Sequence, residues 1–163
     1  KNATQNQMRL DGRAWVGVGS PSLVLNAKDP FKVETRVVVL GKSPATDVVT
    51  RMGTRPFPTD HILQHSDLVL APLPIHNGTA YPGSSFPIRE TGINPITPKE
   101  KTIIGEVLDK RAVLYFFGEI TYRDIFKVHH WTHFCYAIPT GDVNDMIPCT
   151  IYNDSDADPD TGE

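Results

Sequence analysis

Residues 112–137, AVLYFFGEITYRDIFKVHHWTHFCYA, constrain this chain more than any other stretch. Leu114, Phe116, Gly118, Ile120 and Tyr122 alternate with Val113, Tyr115, Phe117, Glu119 and Thr121. After a turn at Asp124, His130, Thr132, Phe134 and Tyr136 alternate with His129, Trp131, His133 and Cys135. A period of two puts each set on one face of an extended strand, so the segment reads as two long strands joined by a tight polar turn. Bulky groups on both faces place such a hairpin inside a sheet covered above and below, or in a sheet whose outer face meets a partner.

The rest of the chain extends this β reading. FKVETRVVVLG sets Phe31, Val33, Thr35, Val37 and Val39 on one face against Lys32, Glu34 and Arg36 on the other, the pattern of a half-buried strand. RAWVGVGSPSLVL, from Arg13 to Leu25, forms an earlier strand anchored by Trp15 and kinked at Gly19-Ser20-Pro21. Gly41-Lys42-Ser43-Pro44 is a turn by composition, and ATDVVTRMG beyond it is a third strand. From Thr54 to Pro87 the prolines Pro56, Pro58, Pro72, Pro74, Pro82 and Pro87 indicate a long irregular surface excursion, with a short strand at Asp67 to Leu70. Loops of this kind are where a protein's specific task is usually carried.

One helix is expected. Thr97 can cap it, Pro98 suits its first turn and Glu100 completes a capping box, while Ile103, Ile104, Val107 and Leu108 give it one apolar stripe ending near Arg111. Together these elements predict a mainly β chain, an immunoglobulin-like antiparallel β-sandwich with one short helix.

At 163 residues the chain is the size of one domain. The expected division is a stalk or linker over 1–12, a sandwich domain over 13–153 and an acidic flexible tail over 154–163. Of nineteen acidic residues five lie in the last ten positions, leaving fourteen against sixteen Lys and Arg in the body. That near-neutral body lacks the concentrated basic face a nucleic-acid binder needs. No apolar run reaches the roughly 20 residues that cross a bilayer. The chain begins at Lys1, and a removed N-terminal signal or membrane anchor is the favoured explanation, so that any membrane link runs through that segment.

The residues with chemical potential are few. Cys135 and Cys149 lie fourteen apart and are either bridged across an antiparallel return or two buried thiols, and a bridge would imply an oxidising compartment. His129 and His133 share a face of a regular strand, but zinc needs a third and fourth ligand, so no metal is assigned and stacking beside Trp131 is the plainer expectation. The tail DSDADPDTGE spaces carboxylates like half a calcium loop but lacks the glycine and distal glutamate at the required offsets, so it reads as solvated. Asp124 is expected to bond its own turn backbone, and no nucleophile with a partnered base or glycine-rich phosphate cradle appears. Neither a catalytic residue nor a cofactor is expected.

RAWVGV, then a strand ending in GKSPATDVV, then a capped helix, then GEITYRDIF and HHWTHFCY resemble a family of uncharacterised bacterial envelope proteins with N-terminal membrane helices and an immunoglobulin-like soluble domain. GKSPATDVV is also similar to the strand junction of CARDB-like adhesion modules. The resemblance covers Met8 to Asn153, and its motifs are structural. It implies a non-enzymatic binding or assembly module in the periplasm, at the cell surface or outside the cell, with a protein partner or self-assembly into a surface structure or fibre. The expected contact residues are Tyr115, Phe117 and Trp131 on the hairpin, His129 and His133 beside them, and Ile75, Tyr81 and Phe86 in the proline-rich excursion. A small metal-dependent hydrolase built on His129 and His133, or a carbohydrate-binding module using Trp15 and Trp131, are the competing readings.

Overall fold

The computed structural model describes residues 3–26, 28–92, 96–140 and 142–156. Their order is helix α1 (Ala3–Gly12), strands β1 (Val16–Val18), β2 (Ser22–Val24), β3 (Lys32–Val39), β4 (Ala45–Pro58), β5 (Ile75–Ala80) and β6 (Ser85–Thr91), helix α2 (Pro98–Leu108), then β7 (Ala112–Arg123), β8 (His129–Ile138) and β9 (Ile147–Pro148). All pairings are antiparallel, and the strands form two sheets. In the first, β3 pairs with β6 on one side and with β1 and β2 on the other. The second runs β5-β4-β7-β8-β9. This is the antiparallel β-sandwich that the alternation predicts.

Packing follows the alternation. Val33, Val37 and Val39 of β3 meet Phe116, Ile120 and Tyr122 of β7 and Phe134 of β8 in the main core between the sheets. The helix α2 closes one end by placing Val107 against Ala112, Leu114 and Ile138. It begins where expected, with the Thr97 hydroxyl accepting from the Glu100 N–H at 3.2 Å. Glu100 Oε1 accepts from the Phe31 N–H at 3.3 Å, tying the first turn of the helix to the start of the first sheet.

The outer face of the second sheet is covered by the chain itself. Phe117 and Cys135 are buried there beneath Leu68, with Leu63, Leu70, Cys149, Ile151 and Tyr152 packed around them. Enclosing a phenylalanine contributes about 1.5–3 kcal/mol toward holding these irregular segments on the sheet. This third cluster explains why the hairpin is aromatic on both faces.

Several expectations change. The third strand is 14 residues long and continues through Pro56 and Pro58. Met52 O accepts from the Ala71 N–H, on the side of β4 away from β7, and Pro56 and Pro58 share its parity. Their missing N–H groups therefore fall on the side that no strand pairs, where a proline does no harm. The excursion is also more regular than its prolines suggest. It holds β5, β6 and a 3-10 turn at His65–Asp67, and no strand forms at 67–70. The expected stalk is α1 over Ala3–Gly12, a second helix. The hairpin turn is not uniformly polar, because Ile125, Phe126 and Val128 are substantially exposed in it.

Candidate functional site

The residues with the densest polar chemistry gather where β8 meets a return segment, residues 153–156. This return runs antiparallel beside the free edge of β8. Thr132 bridges Ser155, the His133 N–H donates to Asp154 O at 2.8 Å and the Asp156 N–H donates to Trp131 O at 3.3 Å. At the other end of the same edge β9 pairs with Tyr136 and Ala137. Between them the Asn153 side chain accepts from the Cys135 N–H at 2.9 Å and donates to Cys135 O at 3.0 Å, imitating a strand residue. Cys135 and Cys149 are bridged, with Cα atoms 5.4 Å apart, which fixes the return against the strand. The edge of β8 is thus covered from Trp131 to Ala137.

Two histidines of β8 are each gripped by two carboxylates. His130 points to the core and is buried, with Nε2 2.7 Å from Asp124 Oδ2 and Nδ1 2.7 Å from Asp156 Oδ2. His133 lies on the outer face, with Nε2 2.9 Å from Glu119 Oε2 and Nδ1 3.0 Å from Asp154 Oδ1. Each imidazole thus ties one carboxylate of β7 or its turn to one carboxylate of the return. The ring faces of His133 are filled too, by Trp131 at 4.4 Å and Tyr152 at 4.1 Å.

The buried histidine belongs to a longer chain of contacts. Asp124 Oδ1 accepts from the Phe126 and Val128 N–H groups, closing the hairpin turn as expected, while its second oxygen takes His130. Arg13 Nη2 is 2.7 Å from Asp156 Oδ1, and the guanidinium lies over Trp15 at 4.6 Å. Its Nε is buried without a hydrogen-bond partner among the described residues. Burial works to raise the Asp124 and Asp156 carboxyls, but hydrogen bonds from His130 and from backbone N–H groups outweigh it and hold both below the usual carboxylate value. Burial, with Glu119 and Asp154 nearby, pushes the Tyr152 hydroxyl up to about 12.

A cleft of about 240 Å³ opens beside this network, between Trp15, Val16 and Val18 on one side and Thr132, Tyr136 and Asp154 on the other. The Thr132 hydroxyl donates to Val16 O at 2.9 Å and joins the two sheets at that seam.

The residues singled out from sequence divide sharply. Phe117 is fully buried and so offers no contact surface, while Phe86 is partly buried and packs on the main core. Tyr115 is half-buried against the Phe57 ring at 5.9 Å. Trp131 has one face against His133, which removes that face from any stacking with a sugar. His129 is exposed at the start of β8, while His133 has both nitrogens committed, so the two form no ligand pair. Among the described residues no group of three His, Cys, Asp or Glu is placed to hold a metal. Ile75 and Tyr81 are exposed as expected.

The acidic tail is the main correction. Asp154 and Asp156 are exposed but each bonds a histidine of β8, so the return they form lies against the sheet; positions 157–163 lie outside the described residues. The sequence reading gave His130 no role of its own, although it falls on the core face beside Thr132 and Phe134. A histidine there needs partners, and that requirement was the available signal.

No family model and no curated protein matches this chain. A solved structure similar to it is that of a Bordetella pertussis protein named "Putative ApaA Protein", at 15% identity and a TM-score of 0.42, covering 77% of this chain and 95% of that one.

Proposed function

We propose that this domain is a non-enzymatic assembly module of an oxidising, extracytoplasmic compartment, which adds to a second copy of itself through strand edges. One observation carries the reading. The edge of β8 is closed by the return, whereas β5 and β6 stand at the outer edges of their sheets with no strand beyond them among the described residues. They follow one another through the turn at Tyr81–Ser84, where the Tyr81 O accepts from the Ser84 N–H at 2.9 Å. An unpaired edge offers N–H and C=O groups to an added strand. Exposed Ile75 on β5 and Tyr81 beyond it supply apolar contact there. The Cys135–Cys149 bridge supports the compartment, because such bonds persist where thiols are not kept reduced.

The test is molecular mass across concentration by light scattering and sedimentation. Reversible growth is expected, and it should vanish in the double variant Ile75→Lys/Tyr81→Lys, since lysines on an edge oppose pairing. A chain that stays monomeric at millimolar concentration overturns the proposal, as does growth unchanged in the variant.

A further inference from the structure

We propose that the hairpin turn between β7 and β8 is a membrane-seating tip, which enters the headgroup layer of an anionic bilayer through Ile125, Phe126 and Val128 while Arg123 and Lys127 meet the lipid phosphates. This contact is separate from any N-terminal anchor, and it does not depend on how the domain assembles.

The chemistry of the turn is unusual for its place. Surface turns are ordinarily built from polar residues and glycine or proline. Here Ile125, Phe126 and Val128 are 52%, 42% and 43% exposed within four consecutive positions. Arg123, Lys127 and His129 are interleaved with them and exposed as well, and only Asp124 is drawn inside, where it meets His130. The outward surface of 123–129 is therefore apolar and basic, with no carboxylate in it. Two acids at the same end of the molecule are engaged: Asp47 Oδ2 lies 3.8 Å from Arg123 Nε, and Asp11 accepts from the Gln7 side chain at 3.0 Å.

A second feature favours a bilayer over a soluble partner. A backbone N–H carried out of water must keep a hydrogen-bond acceptor, because hydrocarbon offers none. The turn supplies its own. Asp124 Oδ1 accepts from the Phe126 and Val128 N–H groups at 2.8 Å and 3.1 Å, Asp124 O from the Lys127 N–H at 2.9 Å, and Val128 O from the Asp124 N–H at 3.1 Å. Arg123 Nη1 donates to Lys127 O at 3.3 Å and closes the loop from its base. Entry into a less polar layer breaks none of these bonds. A Cβ on Gly12 would stand 3.4 Å from the Phe126 ring, so the end of α1 braces the tip on one side. The Ser43 hydroxyl donates to Gly12 O, which brings the 41–44 turn and its exposed Lys42 to the same end. Among the described residues Lys42 and Lys127 have no ion-pair partner. Apolar side chains at a closed tip bind an interface by burial, and free cations beside them are drawn to its negative surface.

Flotation of the full chain with vesicles of phosphatidylcholine and phosphatidylglycerol in equal parts, against vesicles of phosphatidylcholine alone, tests the tip. Binding is expected to the anionic vesicles, weakening as salt rises, with far less to the neutral ones. Ile125→Ser/Phe126→Ser should lower the partition coefficient about tenfold or more, since burying those side chains is what insertion gains. Lys127→Glu should lower it about fivefold or more on anionic vesicles. Thermal unfolding checks that each variant, changed only at exposed positions, is folded. Phe126→Trp reads insertion directly, because brominated acyl chains should quench its fluorescence more than that of the wild type, whose Trp15 and Trp131 lie away from the tip. Equal binding to both vesicle types, partition unchanged in Ile125→Ser/Phe126→Ser, or no added quenching in Phe126→Trp overturns the proposal. A chain that ignores both vesicle types overturns it in favour of a soluble protein partner for the tip.

Discussion

Asp156 Oδ2 stands 2.7 Å from His130 Nδ1, and its other oxygen is 2.7 Å from Arg13, so one carboxylate joins the return, the centre of a long strand and the segment that follows the first helix. Removing it strands a buried guanidinium whose Nε already lacks a partner among the described residues, together with a buried imidazole. The Asp156→Ala variant should lose about 3 kcal/mol in denaturant unfolding, as expected when one member of a buried ionic network is removed. Asp154→Ala, at the exposed partner of His133, should lose less than about 1 kcal/mol. Equal losses would show that the network's burial does not set its strength.

Acid should act through the same carboxylates. Asp124 and Asp156 are held below the ordinary carboxylate value in the folded chain, so the folded state keeps them ionised where the unfolded state takes up protons. Their stabilising contribution is complete above the unfolded value of about 3.9 and disappears as pH falls through the lower folded values. Unfolding free energy followed downward from pH 5 should therefore decline, and Asp124→Asn should decline less steeply. An unchanged slope in that variant would contradict the assignment.

The Cys135–Cys149 bridge closes a loop of about 15 residues, for which chain-entropy arguments give about 3 kcal/mol. The Cys135→Ser/Cys149→Ser double variant should lose an amount of that order in thermal unfolding. The loss should be shared by the return, whose Asn153 bonds to both cysteine carbonyls at 3.0 Å. Proteolysis is expected to begin in the 140–156 region of that variant; cleavage beginning in the 59–74 loop instead would count against this path.

What could be read from the chain and what could not divide by range. Strand faces are local: the parity of Val33, Thr35, Val37 and Val39 and of Phe116, Ile120 and Tyr122 fixes them, and each of these side chains is buried. Thr97 capping α2 is equally local. The candidate site is not, since Asp156 meets His130 across 26 positions and Arg13 across 143. Its acidic neighbourhood has the composition of a solvated tail, and only the sheet edge it covers gives it partners. Pro56 and Pro58 misled for a related reason: proline forbids a paired N–H, but whether a neighbouring strand is present on that side is decided by topology.

Gly118 tests how closely neighbouring strands of the second sheet pack. A Cβ there would meet the Phe134 ring Cε1 at 2.6 Å and Arg51 O at 2.7 Å, and Phe134 is itself buried in the main core. Gly118→Ala should destabilise by about 1–3 kcal/mol, the usual cost of forcing extra volume into a packed interior. Adding Phe134→Leu should recover part of that loss, because the two changes share one contact, and a double-mutant cycle measures the coupling. Strict additivity would mean that the backbone contact with Arg51 alone carries the cost.

Tyr152 is the alkaline counterpart of the carboxylates. Its backbone takes the left-handed region at φ 63°, a conformation that costs a non-glycine residue energy and turns the ring onto His133. Burial pushes its hydroxyl up to about 12, with Glu119 and Asp154 adding to the effect, so the folded chain keeps the proton after an unfolded tyrosine, at about 10, has lost it. In that interval the unfolded state binds fewer protons than the folded one, and stability must fall as pH rises. The contribution is whole below the unfolded value and gone above the folded one. Tyr152→Phe keeps the ring over His133 and removes the titrating group, so its unfolding free energy should decline less between pH 10 and 12 than that of the wild type, approximately the range set by those two values. If the two proteins decline in parallel, the hydroxyl is not shielded in solution, and the stacked column of Trp131, His133 and Tyr152 is looser than its ring separations of 4.4 Å and 4.1 Å require.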